Sequence, residues 1–245
     1  MLETKIALVT GANKGIGLEI ARSLAALGTT VLLGARDPER RAKAAAALQA
    51  DGLDVHPVAL DVTDPETIRA AAALVEERYG RLDILVNNAA TSKGVYHLPS
   101  EADLDVVRHV FDTNVFGVIR VTNAVLPLLK RSASGRIVNM TSGYGSVAQL
   151  IEADRQYPMP AQIDYPTSKA ALNALTVQYA KELKEHGIAV NAVTPGFCAT
   201  DFNKDLGIAI PRTAAEGAAV AVKLATAGPD GPTGGFFDED GPVPW

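Results

Sequence analysis

Apolar runs alternate with stretches of helical period from one end of this 245-residue chain to the other. KIALVT (5–10), TTVLLGA (29–35), VHPVAL (55–60), LDILVN (82–87), GRIVNM (135–140) and IAVNAV (188–193) are short and rich in Val, Ile and Leu. A strand with one wet face alternates apolar and polar residues, so near-continuous apolar runs predict strands covered on both faces. Between them, 15–27, 38–50, 65–79, 101–131 and 166–185 are amphipathic or alanine-rich and predict helices. Asp37-Pro38 and Asp64-Pro65 each place an N-capping acid before a proline at the first helical position. GFF at 235–237 predicts a final edge strand, while 143–164 and the Gly/Pro-rich tail from Gly228 predict loops.

Strand–helix alternation predicts a parallel sheet of about seven strands, with helices on both faces and right-handed crossovers. That is an α/β, doubly wound fold of the Rossmann, dinucleotide-binding type. No linker, repeat or low-complexity segment divides the chain, which predicts a single domain over 1–245.

Composition narrows the function. The formal net charge is −5, with no long Lys/Arg run, which argues against a nucleic-acid partner. One cysteine, Cys198, leaves no internal disulfide and no Cys-rich zinc site. His56, His97, His109 and His186 show no metal-ligand spacing on one helix, so no metal is expected. No apolar stretch approaches the roughly 18 residues of a membrane span, and no secretory pattern opens the chain. A reducing cytoplasm is the expected compartment.

The first strand leads into Thr10-Gly11-Ala12-Asn13-Lys14-Gly15-Ile16-Gly17. Glycines here permit a tight turn, let backbone approach a pyrophosphate, and open a helix whose N-terminus attracts anions. The spacing is GxxxGxG rather than GxGxxG, and its weight comes from the strand before it and the helix after it. At the end of the second strand an acid would bond a ribose 2′-hydroxyl, whereas an arginine would accept a 2′-phosphate. Ala35 offers no acid and Arg36 follows at once; Asp37, the rival acid, is better read as a helix N-cap. With Lys14 as a second cation in the turn, the expected cofactor is NADP(H).

Carbonyl reduction needs a hydride for carbon and a proton for the nascent alkoxide. A phenol with its ordinary pKa near 10 is a poor shuttle at neutral pH unless a nearby cation lowers it. Positions i and i+4 share a helix face, and of six tyrosines only Tyr165 has a lysine there, Lys169. Pro166 disfavours helical geometry at Tyr165, which predicts Tyr165 at the N-cap and Pro166 at the first helical position.

Across essentially its whole length the chain resembles the short-chain dehydrogenase/reductase family. TGANKGIG resembles that family's TGxxxGxG, and Asn87-Asn88-Ala89-Ala90 its NNAG, with Ala90 in place of the glycine. Asp61-Val62 resembles its adenine-contacting pair, and Pro195-Gly196 through Thr200 its PGxxxT, whose threonine reaches the nicotinamide carboxamide. Asn114, Ser142, Tyr165 and Lys169 stand where the family keeps its catalytic residues. The resemblance implies that Tyr165 is the general acid in reduction and that Ser142 donates a hydrogen bond to the carbonyl. It implies that Lys169 holds the nicotinamide ribose and lowers the Tyr165 pKa, and that Asn114 anchors a water for proton resupply. NKGIG, Ala35-Arg36-Asp37, the long segment before the tyrosine and the ending TGGFFDEDGPVPW are most similar to the carbonyl-reductase type. Tyr165 follows Ser142 by 23 positions, longer than is usual, and extra loop length costs little.

The expected partner is a small-molecule carbonyl substrate. Phe197, Cys198, Phe202 and Leu206 suggest an apolar or aromatic one, with Cys198 as a packing residue rather than a nucleophile. The alternative is a catalytically idle NADP-binding regulator; an epimerase or dehydratase on the same fold would carry a larger carboxy-terminal substrate domain. Relatives form tetramers through helices corresponding to 101–131 and 166–185. Ile151, Tyr157, Met159 and Ile163 are expected to pack as a cap over part of that face, so a monomer is more expected than a tetramer.

Overall fold

The computed structural model describes residues 4–92, 97–156, 161–202 and 210–245. Seven strands are named β1 (Ile6–Thr10), β2 (Thr30–Ala35), β3 (Val55–Ala59), β4 (Ile84–Asn87), β5 (Arg136–Met140), β6 (Ala189–Val193) and β7 (Phe236–Phe237). They form one parallel sheet in the order β3-β2-β1-β4-β5-β6-β7. The order reverses between β1 and β4, the switch point outside whose carboxyl ends ligands bind in doubly wound sheets.

The helices are α1 (Gly15–Ala26), α2 (Pro38–Ala50), α3 (Pro65–Tyr79), α4 (Leu104–Phe111), α5 (Gly117–Leu129), α6 (Val147–Gln156), α7 (Tyr165–Leu183) and α8 (Ala214–Ala225). Alternate strand residues feed opposite cores, because successive side chains leave opposite faces of a strand. Val9, Leu33, Val86 and Val138 pack with Ile20, Leu24, Leu48 and Ala221, under α1, α2 and α8. Leu8, Leu32, Leu85 and Ile137 pack with Ile68, Val75, Val125 and Leu183, under α3, α5 and α7. Both faces of the sheet are therefore dry, as the continuous apolar runs predict.

The helix starts are chemically explicit. Asp37 Oδ1 accepts from the Arg40 amide (2.9 Å) and Asp64 Oδ1 from the Glu66 amide (2.9 Å), so both acids cap as expected.

Four expectations need correction. The stretch 101–131 is not one helix: α4 ends at Phe111, a π-helical turn spans Asp112–Phe116, and α5 follows. The segment 143–164 is not all loop, since it holds a 3₁₀ turn at Gly143–Gly145 and α6. Helix α7 begins at Tyr165 itself, with Asp164 as N-cap, so tyrosine and proline each sit one position further into the helix than expected. Last, Ile151 is 67% exposed and so is not packed into a cap, whereas Ile163 is partly buried; Tyr157 and Met159 lie outside the described residues.

Candidate active site

The carboxyl ends of β1, β4, β5 and β6 converge on one crevice. On the β1 side, Gly11 and Gly15 adopt left-handed backbone (φ +63° and +55°), which glycine alone accepts without strain. A Cβ at Gly11 would lie 2.9 Å from the Ala89 Cα, and one at Gly17 would lie 2.6 Å from the Gly11 carbonyl oxygen and overlap the Asn88 amide. The turn is thus pressed against the end of β4 with no room for side chains. Thr10 fastens the two together: its hydroxyl accepts from the Asn88 and Ala89 amides, each at 3.0 Å. Asn88 Nδ2 returns bonds to the carbonyls of Thr10 (2.9 Å) and Gly11 (3.2 Å). Asn13 and Ile16 belong to the same turn and first helical residues, with Ile16 packed partly against the core.

Lys14 is the N-cap of α1, and its ammonium pairs with Asp201 at 2.8 Å, both groups well exposed. An exposed pair of that kind is worth only about 0–1 kcal/mol. The loop carrying Asp201 crosses the glycine turn, and the Thr200 methyl would sit 3.5 Å from a Cβ on Gly15. Pro195 and Gly196 (φ +69°) start that loop where β6 ends. At the end of β2, Arg36 is exposed, and Arg41 from α2 folds back to bond the Ala35 carbonyl (2.7 Å). Asp61 follows β3 and is tied into its turn by Thr63 (amide 2.9 Å, hydroxyl 2.7 Å). Val62 is buried, and its side chain fills the space that a Cβ on Gly117 would need.

On the β5 side, Ser142, Tyr165 and Lys169 come together. Lys169 Nζ lies 5.5 Å from the Tyr165 ring centroid and donates to the Met140 carbonyl at 2.8 Å. Burial lifts the Tyr165 phenol well above its ordinary pKa; the hydrogen bond with Ser142 opposes this and the nearby Tyr144 phenol adds to it. Burial also lowers the Lys169 ammonium to about 7. In the cofactor-free protein the same dry surroundings push both groups toward their neutral forms.

Asn114 is fully buried in the π-helical turn. Its Oδ1 accepts from the Thr91 amide (2.9 Å), while Nδ2 donates to the Thr91 carbonyl (2.9 Å) and to Ser168 Oγ (3.0 Å). Ser168 in turn donates to the Tyr165 carbonyl at 2.7 Å. A π-turn is uncommon and often marks a functional position; here it aims an amide at the first turn of α7.

Three contributors were not picked out from sequence. Arg41 stands beside Arg36 only because α2 turns it back one helical turn after the strand. Tyr144 contacts both Tyr165 (centroids 6.5 Å) and Phe197 (5.9 Å), edge to face. Behind the site, Asn87 Nδ2 donates to Asn139 Oδ1 (2.9 Å) and Asn139 Nδ2 to the Thr176 hydroxyl (2.9 Å), a buried relay joining β4, β5 and α7. Register gave a signal for that one, since Asn87 and Asn139 are paired positions on adjacent strands. Phe202 lies 5.4 Å from the Tyr165 ring; Phe197 and Phe202 are 48% and 44% exposed, and Leu206 is outside the described residues. Cys198 is fully buried against α8, where burial raises its thiol pKa, so it packs as expected.

A sheet of this order, with a glycine turn at its switch point, is a dinucleotide-type fold, and comparison with known proteins makes the class definite. The short chain dehydrogenase family model matches residues 5–210, and the chain belongs to that family. It is 37% identical over 232 residues to short-chain dehydrogenase anuI of Penicillium roqueforti, covering 91% of this chain and 89% of that one. It is 33% identical to (-)-isopiperitenone reductase of Mentha piperita, covering 96% of each. Among solved structures, NADPH-bound carbonyl reductase from chicken fatty liver superposes with a TM-score of 0.86 at 33% identity, covering the whole of both chains. The protein is an oxidoreductase. Among the described residues no helix is long and apolar enough to cross a membrane.

Proposed function

We propose that this protein reduces ketones or aldehydes to alcohols with NADPH, reversibly. The observation that carries the reading is the convergence of the Ser142 hydroxyl, the Tyr165 phenol and Lys169 at the mouth of the crevice beside the glycine turn. That crevice suits the pyrophosphate of a dinucleotide, since a glycine turn packed tightly on the end of β4 opens α1, whose N-terminus attracts anions. Gly11, Asn13, Lys14, Gly15, Ile16 and Gly17 would hold the phosphates. Asp61, Val62, Asn88 and Ala89 would hold the adenosine half, with Pro195, Gly196 and Thr200 at the nicotinamide. When bound, the cofactor supplies the hydride.

The protein's own residues handle the proton. Ser142 and Tyr165 orient the carbonyl oxygen through two hydroxyl donors, and Tyr165 releases its proton to that oxygen as charge develops. Burial keeps the phenol protonated in the cofactor-free protein; to act as the acid at neutral pH it must be brought down, and the protonated form of Lys169, 5.5 Å from the ring, is the cation placed to do so. Lys169, near 7, can return a proton to the phenolate at neutral pH. Asn114 holds the first turn of α7 through Ser168 and so fixes the Tyr165 backbone; its carriage of a water toward Lys169 is part of the proposal. Tyr144 and Phe202 flank the Tyr165 ring, with Phe197 against Tyr144, and together they favour a flat or aromatic carbonyl compound.

NADP(H) is the proposed cofactor because β2 ends in Ala35 and exposed Arg36, while Asp37 is occupied in capping α2. NADPH oxidation against a panel of ketones, aldehydes and quinones tests the activity; tight NADPH binding with no turnover anywhere would favour the idle regulator. Arg36→Ala should raise the NADPH KM roughly 10–100-fold, the worth of a charge-assisted hydrogen bond, and leave NADH use almost unchanged. Equal losses with both cofactors would make Arg36 structural.

We place the enzyme in a reducing cytoplasm as a single-domain monomer. Light scattering at micromolar concentration should give a mass near 25.7 kDa; a stable species of four times that mass would reject the monomer.

A further inference from the structure

The segment that follows Ser142 is held between two distant parts of the chain. On one side it lies flat on α7. A Cβ on Gly145 would stand 2.8 Å from the Lys169 carbonyl carbon, and the Gly145 carbonyl accepts from Asn173 Nδ2 at 2.9 Å. On the other side it is gripped by the chain's last residues. The Ser146 hydroxyl, fully buried, donates to the Pro244 carbonyl at 2.7 Å and accepts from the Gln149 amide at 3.0 Å. The Ala148 amide donates to the Trp245 carbonyl at 3.1 Å. Amides in the first turn of a helix have no partner within the helix, and α6 finds one of its partners nearly a hundred positions away in sequence.

The grip is itself anchored. The Trp245 indole stacks on the Phe236 ring (centroids 5.5 Å, interplanar angle 24°), and Phe236 is buried on β7, paired with Ala192 of β6. The Val243 amide donates to the Phe236 carbonyl at 2.8 Å, and Pro242 bridges to Phe237. Residues 236–245 thus run from the sheet edge to the first turn of α6, next to Ser142 and Tyr144.

We propose that Trp245 is a positioning residue for carbonyl binding: through its carbonyl and that of Pro244 it clasps 143–148 onto α7 and fixes Ser142 and Tyr144 beside Tyr165. The inference rests on the reading of Ser142 as the substrate's hydrogen-bond donor. It concerns the substrate half of the crevice alone, because the glycine turn and Arg36 lie on the β1–β2 side.

Trp245→Ala should therefore raise the KM for the best carbonyl substrate of the panel roughly 10-fold, as expected for losing about one hydrogen bond's worth of order. The NADPH dissociation constant should stay within about 2-fold, as for a site whose contacts are untouched. Trp245→Phe, which keeps a ring to stack on Phe236, should restore the KM. Hydrogen exchange at the Ala148 amide should speed up in the alanine variant and return in the phenylalanine one. A carbonyl KM that stays put despite faster exchange overturns the proposal, as does an equal weakening of NADPH binding. Should Trp245→Ala fail to fold, Ser146→Ala removes the Pro244 contact and leaves the stack; the same rise in carbonyl KM is expected, and an unchanged one overturns the clasp. A wild-type protein that turns over no carbonyl compound defeats the proposed activity instead. The clasp is then read from Ala148 exchange, where no response to Trp245→Ala defeats it.

Discussion

Tyr165→Phe is expected to lower kcat for carbonyl reduction by about 10²–10⁴-fold, the range for losing a general acid, while NADPH binds as before. The ring remains, so the contacts to Phe202 and Tyr144 and the stack beneath Lys169 persist. Only the hydroxyl goes, and with it the proton and the hydrogen bond with Ser142. The fold should lose little, because the phenol is buried at some cost and its removal relieves that cost. Stopped-flow turnover together with NADPH titration by fluorescence separates the two quantities. A variant with near-normal kcat would show that the proton comes from elsewhere, and the role of Tyr165 would fall with it.

The strands were legible because a parallel sheet covered on both faces leaves its mark at every position of a strand. IALV at 6–9 is apolar throughout with Thr10 after it, and the structure buries all five residues. The capped helices were legible where an acid and a proline mark the start. Helix α8 was passed over although Thr213 and Glu216 form a complete capping box ahead of it (Glu216 amide to Thr213 Oγ1 3.2 Å; Thr213 amide to Glu216 Oε2 2.7 Å). Gly217 interrupts its alanine-rich run, and a Cβ there would overlap the Cys198 sulfur.

Other features had no local signature at all. The π-turn at Asp112–Phe116 has the same apolar period as the helices on either side, and only the destination of the Asn114 amide, across the crevice at Thr91 and Ser168, explains it. Helix α6 stands among glycines, charges and prolines, and part of its first turn is satisfied from Trp245. Partners that far apart in sequence leave nothing for a window of neighbouring residues to detect. The Tyr165 and Lys169 pair is easier to read, since spacing alone puts both on one helix face. What spacing did not convey is depth, and depth turns Lys169 from a standing cation into a group that titrates near neutrality.

That depth has a measurable consequence in the cofactor-free protein. Lys169 has its ordinary value of 10.5 in an unfolded chain and about 7 when folded. Between those limits the unfolded state carries a proton that the folded state lacks, so folding stability from this group rises with pH, by up to about 1.4 kcal/mol per unit. Below pH 7 both states are protonated and the penalty is present in full; above 10.5 neither is, and it is gone. The raised Cys198 thiol works in the opposite direction above its ordinary 9.0, and Tyr165 above 10, so pH 7 to 9 is the window in which Lys169 acts alone among the three. Lys169→Met keeps most of the side chain's length and removes its charge, along with the bond to the Met140 carbonyl. Urea unfolding should then show the variant gaining on the wild type at pH 7 relative to pH 9, with the wild-type rise across that window flattened. Carbonyl reduction should fall by about 10²-fold or more, because the phenolate loses the group that returns its proton. Opposite signs for stability and turnover are what a lysine retained for chemistry at a structural cost must give. A variant that loses both together, or whose stability keeps the wild-type slope between pH 7 and 9, would mean that Lys169 is charged in the folded protein and serves the packing of α7 on β5.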